Sequence, residues 1–335
     1  MHTLVRAHTP VQELTQFDPR QAVAAELAAV DACIRARMDS EVALVRQVAD
    51  YIVGAGGKRL RPVLVLLVAG SFAPPTERVH MLSAVIELIH TATLLHDDVV
   101  DESDLRRGRK TANSVFGNAA SVLVGDFLYS RAFQMMVDIG DMEIMRVLAD
   151  ATNTIAEGEV LQLMNIGDAD VTEESYLRVI RYKTAKLFEA AGRTGAMISG
   201  ASTGIAERLG EFGMRLGTAF QLIDDVLDYS GNIEQTGKNL GDDLSEGKAT
   251  LPLLHVIAQG NPEQRSVVRR AITHPGEVDF PAVLAAINAT GALEHARAAA
   301  RLEAKNAAGC LEVLPAGRHR ETLLELCAFA VERSS

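Results

Sequence analysis

The stretch Leu94-Leu95-His96-Asp97-Asp98-Val99-Val100-Asp101-Glu102-Ser103-Asp104-Leu105-Arg106-Arg107-Gly108 ends a long apolar periodic segment with aspartates at i, i+1 and i+4. On a helix, residues four apart lie on one face, one turn apart. Asp97 and Asp101 therefore project together, with Asp98 on the flank. Like charges at this spacing destabilise a helix slightly. At ~4 Å and an effective dielectric of 20 they repel by about 4 kcal/mol. A cation removes the conflict. All-oxygen ligands suit a hard ion, and Mg2+ takes one or two carboxylates and completes its shell with phosphates and water. Arg106 and Arg107 follow, and a planar guanidinium grips phosphate bidentately. The combination predicts a site for a phosphorylated substrate. A single copy would fit a solvated acidic helix end beside a basic loop equally well.

A second copy changes that balance. It reads Gln221-Leu222-Ile223-Asp224-Asp225-Val226-Leu227-Asp228-Tyr229-Ser230. The two cores agree in aspartate spacing, in the following Val and in the trailing Ser, and each ends an apolar helix-like run. The repeat predicts that Asp97, Asp98 and Asp101 face Asp224, Asp225 and Asp228 across a cavity, sharing metal ions on one diphosphate.

With these two motifs the chain resembles the trans-polyprenyl diphosphate synthases, from about Gln47 to about Glu332. It is most similar to the bacterial octaprenyl diphosphate synthases. The stretches Ile89-His90-Thr91-Ala92-Thr93, Gly117-Asn118-Ala119-Ala120-Ser121-Val122-Leu123-Val124-Gly125-Asp126 and Glu157-Gly158-Glu159-Val160-Leu161-Gln162-Leu163 look very like that group.

Composition agrees with such a protein. Apolar residues make up 48% of 335, aromatics 4%, and Trp is absent; this suits helices better than strands. Because both motifs must meet at one site, we expect one large domain spanning 18–335 after a loose extension, 1–17. The net charge of -11 argues against nucleic-acid binding. It also looks wrong for a polyanionic substrate, unless metal ions and a few local Lys and Arg residues take the diphosphates. Cys33, Cys310 and Cys327 are odd in number and far apart, which fits a reducing, cytoplasmic setting. Met1 to Arg20 has no apolar run of signal-peptide length. No transmembrane segment is expected, the strongest apolar stretch being Val63 to Ala69.

Taken in order, Pro19 to Asp50 has helical spacing. Gly54-Ala55-Gly56-Gly57-Lys58-Arg59-Leu60-Arg61-Pro62 is a glycine turn leading through basic residues into a helix, a place where backbone N–H groups can meet anions. Helices are expected over about Arg78 to Asp101, Asn113 to Val137 and Ile144 to Leu163. Glu157, Glu159 and Gln162, near the end of the last, are polar neighbours for the site. Thr172 caps a helix that carries Arg181-Tyr182-Lys183-Thr184. Phe212 to Tyr229 carries the second motif. The following Thr236 to Asp243 and Gly247 to Pro252 read as a loop acting as a lid. The last quarter reads as scaffold.

The resemblance implies the rest. The fold is an all-α bundle around a deep central cavity, of the isoprenoid synthase type. The reaction is Mg2+-dependent 1'-4 condensation of isopentenyl diphosphate onto an allylic diphosphate primer, such as farnesyl diphosphate. Three Mg2+ ions are implied, held by Asp97, Asp101 and Asp224. Lys183, Thr184, Arg106, Gln221 and Lys238 would hold the allylic diphosphate, with Lys248 helping to close the site. Lys58, Arg61, His90 and Arg107 would hold isopentenyl diphosphate. Short-chain enzymes place aromatic plugs four and five residues before the first aspartate; Thr93 and Ala92 are small there and predict a long product. Octaprenyl diphosphate, for a quinone side chain, follows from the overall match. Phe133, Met135 and Met136 are candidates for the tunnel floor. A homodimer is implied as well. The rival readings are another long chain length, a class I terpene cyclase, a non-catalytic helical subunit and a structural helical bundle.

Overall fold

The computed structural model describes residues 17–54, 56–106, 108–230 and 240–332. Among these the chain is helical almost throughout, with one two-stranded hairpin.

The helix that carries the first motif, α4 (Glu77–Val100), is the axis of the bundle. Leu82, Val85, Ile86, Leu88, Ile89, Ala92 and Leu95 are fully buried. A helix that is apolar around its circumference needs neighbours on every side. They are α1 (Ala24–Arg37), α3 (Leu60–Gly70), α6 (Asn118–Ile139) and α9 (Lys186–Ile198). This helix corrects the expectation that no apolar segment reaches the length of a membrane span. By length and composition alone α4 could cross a membrane. About two thirds of its apolar window is buried inside the protein, and Glu87 and Asp98 are among its buried residues.

Around this axis run α2 (Ala43–Gly54), the short α5 (Ala112–Phe116), α7 (Met142–Asn165), α8 (Glu173–Ile180) and α10 (Thr203–Ser230). The single helix expected over Asn113 to Val137 is divided at Gly117, whose φ of 86° interrupts the helix and separates α5 from α6. The cap expected at Thr172 is present, its hydroxyl accepting from the Ser175 N–H at 3.1 Å. The helix beyond it departs from regular α geometry: Arg181–Ala185 is a π-helical turn.

α10, bearing the second motif, lies against α9 at backbone distance. A Cβ at Gly213 would come within 2.6 Å of the Phe188 carbonyl carbon. The final layer is α11 (Asp242–Ser245), α12 (Leu251–Gln259), α13 (Pro262–Thr273), α14 (Phe280–Thr290), α15 (Ala292–Cys310) and α16 (Arg318–Glu332). Its α11 begins within the stretch Thr236 to Asp243 read as a loop. A second apolar cluster, including Leu253, Val268, Ile272 and Ile287, ties this layer together through Tyr229 of α10.

Candidate active site

α4 ends immediately after the first motif. Glu102 takes a left-handed φ of 50°, and the Ser103 N–H reaches back to the Asp98 carbonyl at 3.0 Å. This is a six-to-one helix ending, at a position where glycine is usual. The chain then turns into the hairpin Leu105–Arg106 and Arg109–Lys110, in which Arg106 pairs with Arg109. Arg107 lies outside the described residues. The hairpin returns Arg106 to α4, where its Nε and Nη2 each stand 2.7 Å from Asp98 Oδ1.

The two motifs line one cavity of about 1130 Å³. Asp97 and Asp101 enter it from α4, and Asp224, Asp225 and Asp228 from α10. The middle aspartate is buried in both copies, but only Asp225 also lines the cavity. Asp98 is fully buried and is not among the residues lining this cavity. Asp225, also buried, accepts from Gln221 Nε2 at 2.8 Å and from the Tyr176 hydroxyl. Adjacent residues on a helix differ by about 100°, so the middle member cannot share the face of the first and fifth. It meets the wall and is held there. Tyr176, which the sequence reading passed over, is legible only once α8 is docked on α10.

Lysines stand among the acids. Lys183 Nζ is 2.6 Å from Glu159 and 3.8 Å from Asp97. The π turn places it there, resting on Gly158 of α7; a Cβ on that glycine would be 2.6 Å from the Lys183 nitrogen. Such turns are frequent at functional sites. Thr184 donates to Gln221 at 3.1 Å, completing a relay Thr184–Gln221–Asp225. Lys248 reaches Asp101 at 3.2 Å and also pairs with Glu246. Lys238 lies outside the described residues.

Burial raises the Asp97 carboxyl above its usual range; Lys183 opposes the shift and Asp101 adds to it. Burial, then the charge of Asp97, lifts Glu159 to about 7. Burial and Asp243 lift Asp225 to about 8. Burial, the largest single effect, pulls Lys248 down, but Asp243, Asp101 and Glu246 together outweigh it and raise it. Negative charge is thus packed more tightly than solvent and two lysines relieve. Such a cluster attracts further cations.

The donor chemistry fits a hard cation. Asp97, Asp101, Asp224 and Asp228 present carboxylate oxygens to one cavity. Among the described residues no group of three or more His, Cys, Asp or Glu side chains forms a ready-made metal site. An ion that uses one or two carboxylates and takes its remaining oxygens from phosphate and water matches that arrangement.

The same cavity is lined by Lys58, Arg59, Arg61 and His90. Arg61 Nη1 lies 3.1 Å from His90 Nε2. Arg can only donate, so His90 accepts there and carries its proton on Nδ1. The Arg61 guanidinium also stacks on Phe188, 4.4 Å from the ring centre, and Lys58 Nζ stands 5.7 Å from that of Phe220. Thr93 lines the cavity, whereas Ala92 is fully buried and does not. Met135 and Met136 are buried and Phe133 half-buried on α6, and none of the three lines the cavity. Of the polar groups expected on α7, Glu159 and Gln162 line it. Glu157 is exposed and accepts from Asn153 at 3.0 Å.

Residues 42–287 match the family model for polyprenyl synthetase. Octaprenyl diphosphate synthase of Escherichia coli (strain K12) is 52% identical over 311 residues, covering 92% of this chain and 96% of that protein. An all-trans-nonaprenyl-diphosphate synthase (geranyl-diphosphate specific) of Rhodobacter capsulatus is 44% identical over 312 residues, covering 93% of this chain and 96% of that one. A polyprenyl synthase of Caulobacter crescentus, crystallised with calcium and isoprenyl diphosphate, superposes with a TM-score of 0.91 at 44% identity, covering 95% of this chain and 98% of that one.

Proposed function

This chain belongs to the polyprenyl synthetase family, and on that premise we propose that it elongates an allylic diphosphate with isopentenyl diphosphate to octaprenyl diphosphate. The observation that carries the proposal is the convergence of both aspartate motifs, Lys183 and Lys248 on one cavity that Lys58, Arg61 and His90 also line. Two anionic substrates then have separate cationic seats within one enclosure.

Mg2+, three ions in the family precedent, would be held by Asp97, Asp101 and Asp224 with diphosphate oxygens. Bound there it supplies Lewis-acid stabilisation of the leaving diphosphate. The lysines supply the rest of the charge. Lys183 pairs with Glu159 and Asp97, and Lys248 with Asp101 and Glu246. With Mg2+ held by those carboxylates, the two lysines would be available to the diphosphate. This arrangement reconciles a chain of net charge -11 with a polyanionic substrate. Thr184 and Gln221 fix the second motif beside it, and Arg106, braced by Asp98, faces the cavity from the hairpin. Lys58, Arg61 and His90 orient isopentenyl diphosphate so that its double bond meets the allylic carbon as the C–O bond breaks. Loss of a proton to the departing diphosphate completes the condensation, so no separate side-chain base is needed. Enclosure keeps water from the cationic centre.

The small Thr93, which lines the cavity, supports a long product. Exposed apolar side chains on α6 and α7, Leu123 at 66%, Met142 at 70% and Met164 at 72%, support pairing with a second copy. The same reading makes 18–335 one catalytic unit, places the enzyme in the cytoplasm and sends its product to a quinone side chain.

The test is an elongation assay with farnesyl or geranyl diphosphate, labelled isopentenyl diphosphate and Mg2+, with products sized by mass spectrometry. A dominant C40 product is expected. Another long product would correct the chain length alone. No condensation by folded protein would overturn the reading.

A further inference from the structure

Arg59 stands between two residues assigned above to isopentenyl diphosphate, yet its own side chain is committed elsewhere. Its Nη1 lies 2.6 Å from Glu87 Oε1 and its Nη2 3.4 Å from Asp31 Oδ1. The Arg59 and Glu87 side chains are only 13% and 11% exposed. Arg59 is also one of two non-glycine residues with positive φ among the described residues, at 50°. It is the residue that caps the start of α3. L side chains rarely adopt this conformation, and it persists where the surroundings impose it.

The conformation has a directional consequence. It turns the chain between Lys58 and Leu60, so that Lys58 points toward Phe220 while Arg61, in the first turn of α3, stacks on Phe188 and meets His90. Glu87 and His90 are three apart on α4 and so share a face. One grips the turn itself and the other grips the arginine that the turn aims.

We propose that Glu87 is a positioning residue for the homoallylic diphosphate seat: through its ion pair with Arg59 it holds the left-handed turn that directs Lys58 and Arg61 into the cavity. This rests on the assignment of Lys58, Arg61 and His90 to isopentenyl diphosphate. Glu87 itself lines the cavity, and the role proposed for it is to hold the turn rather than to meet the substrate. A buried carboxylate in the centre of an apolar helix is costly unless paired, and the pairing here is spent on the geometry of a binding loop.

The experiment measures KM for both substrates, with melting temperatures, in Glu87→Gln, Asp31→Asn, Arg61→Ala and the double variant Arg59→Gly/Glu87→Gln. Glu87→Gln is expected to raise KM for isopentenyl diphosphate by about tenfold or more and to leave the allylic KM within about twofold. Asp31→Asn removes the more exposed partner, spares the fold, and is expected to raise the same KM by about threefold. Glycine adopts a positive φ unaided, so the double variant is expected to recover most of the loss. Both KM values rising together, or neither rising in Glu87→Gln and Asp31→Asn, would overturn the proposal. Arg61→Ala separates the two levels. If it leaves KM for isopentenyl diphosphate unchanged, that assignment fails. If it raises that KM while Glu87→Gln does not, the positioning role alone fails.

Discussion

Replacing Asp98 by Asn tests whether the middle aspartate of the first motif serves the metal or the wall. Asp98 is fully buried, absent from the cavity lining, and accepts both Nε and Nη2 of Arg106 at 2.7 Å. Each hydrogen bond to a charged partner is worth about 1.5–3 kcal/mol. Arg106 is 25% exposed, so solvent recovers part of that loss. Asn keeps one accepting oxygen but no charge, and a net loss of about 2 kcal/mol follows. At about 1.4 kcal/mol per factor of ten, that is roughly thirtyfold. The loss should fall on the allylic diphosphate, because Arg106 is the group set loose. The assay measures KM for the allylic substrate and the Mg2+ concentration for half-maximal rate, in Asp98→Asn and Asp97→Asn side by side. Asp98→Asn should raise the allylic KM and leave the Mg2+ requirement nearly unchanged; Asp97→Asn should shift the Mg2+ requirement. An equal shift of the Mg2+ requirement in both variants would refute the division of labour between adjacent aspartates.

Thr93→Phe should shorten the product, read by mass spectrometry; Ala92→Tyr should do the same while lowering the melting temperature, since overpacking a buried site costs about 1–3 kcal/mol. An unchanged product length in both would remove these residues from chain-length control. Gly158→Ala drives a methyl group against the Lys183 backbone, 2.6 Å away; a loss of about 1–3 kcal/mol in stability and a larger fall in kcat than in isopentenyl affinity are expected, and a variant indistinguishable from the parent would show that the π turn can move freely. The Asp225 carboxyl, near 8 in the fold against 3.8 for the free group, binds its proton more tightly when folded, so its contribution to stability is complete below about pH 4 and is lost as pH rises to about 8. Metal-free protein should therefore melt at progressively lower temperature from pH 6 to pH 8. Tyr176→Phe, which removes a hydrogen bond favouring the carboxylate, should steepen that fall. A flat profile in scanning calorimetry for both proteins would contradict it.

Local spacing carried a great deal. The one-turn separation of Asp97 and Asp101, and of Asp224 and Asp228, is a property of helix geometry, so each pair could be placed on a face before any packing was known. The same holds for the Thr172 cap and for the helical class itself, set by Ala and Leu abundance and scarce aromatics. The repeat of the motif then required the two faces to meet. What the spacing left open is how each face is held. Asp98 with Arg106 remained ambiguous because a helix end must first break at Glu102 and double back. Lys248 with Asp101 spans 147 positions, and Tyr176 with Asp225 spans 49. Neither pairing leaves a periodic trace. Arg59 read as one more basic residue in a basic run, and nothing in the sequence singled out Glu87. Only the packing of α3 on α4 made them partners. Sequence determines which side chains share a face, because that depends on the repeat of one helix. The tertiary structure decides which faces oppose, and therefore which charges are relieved by a neighbour and which are left for substrate and metal.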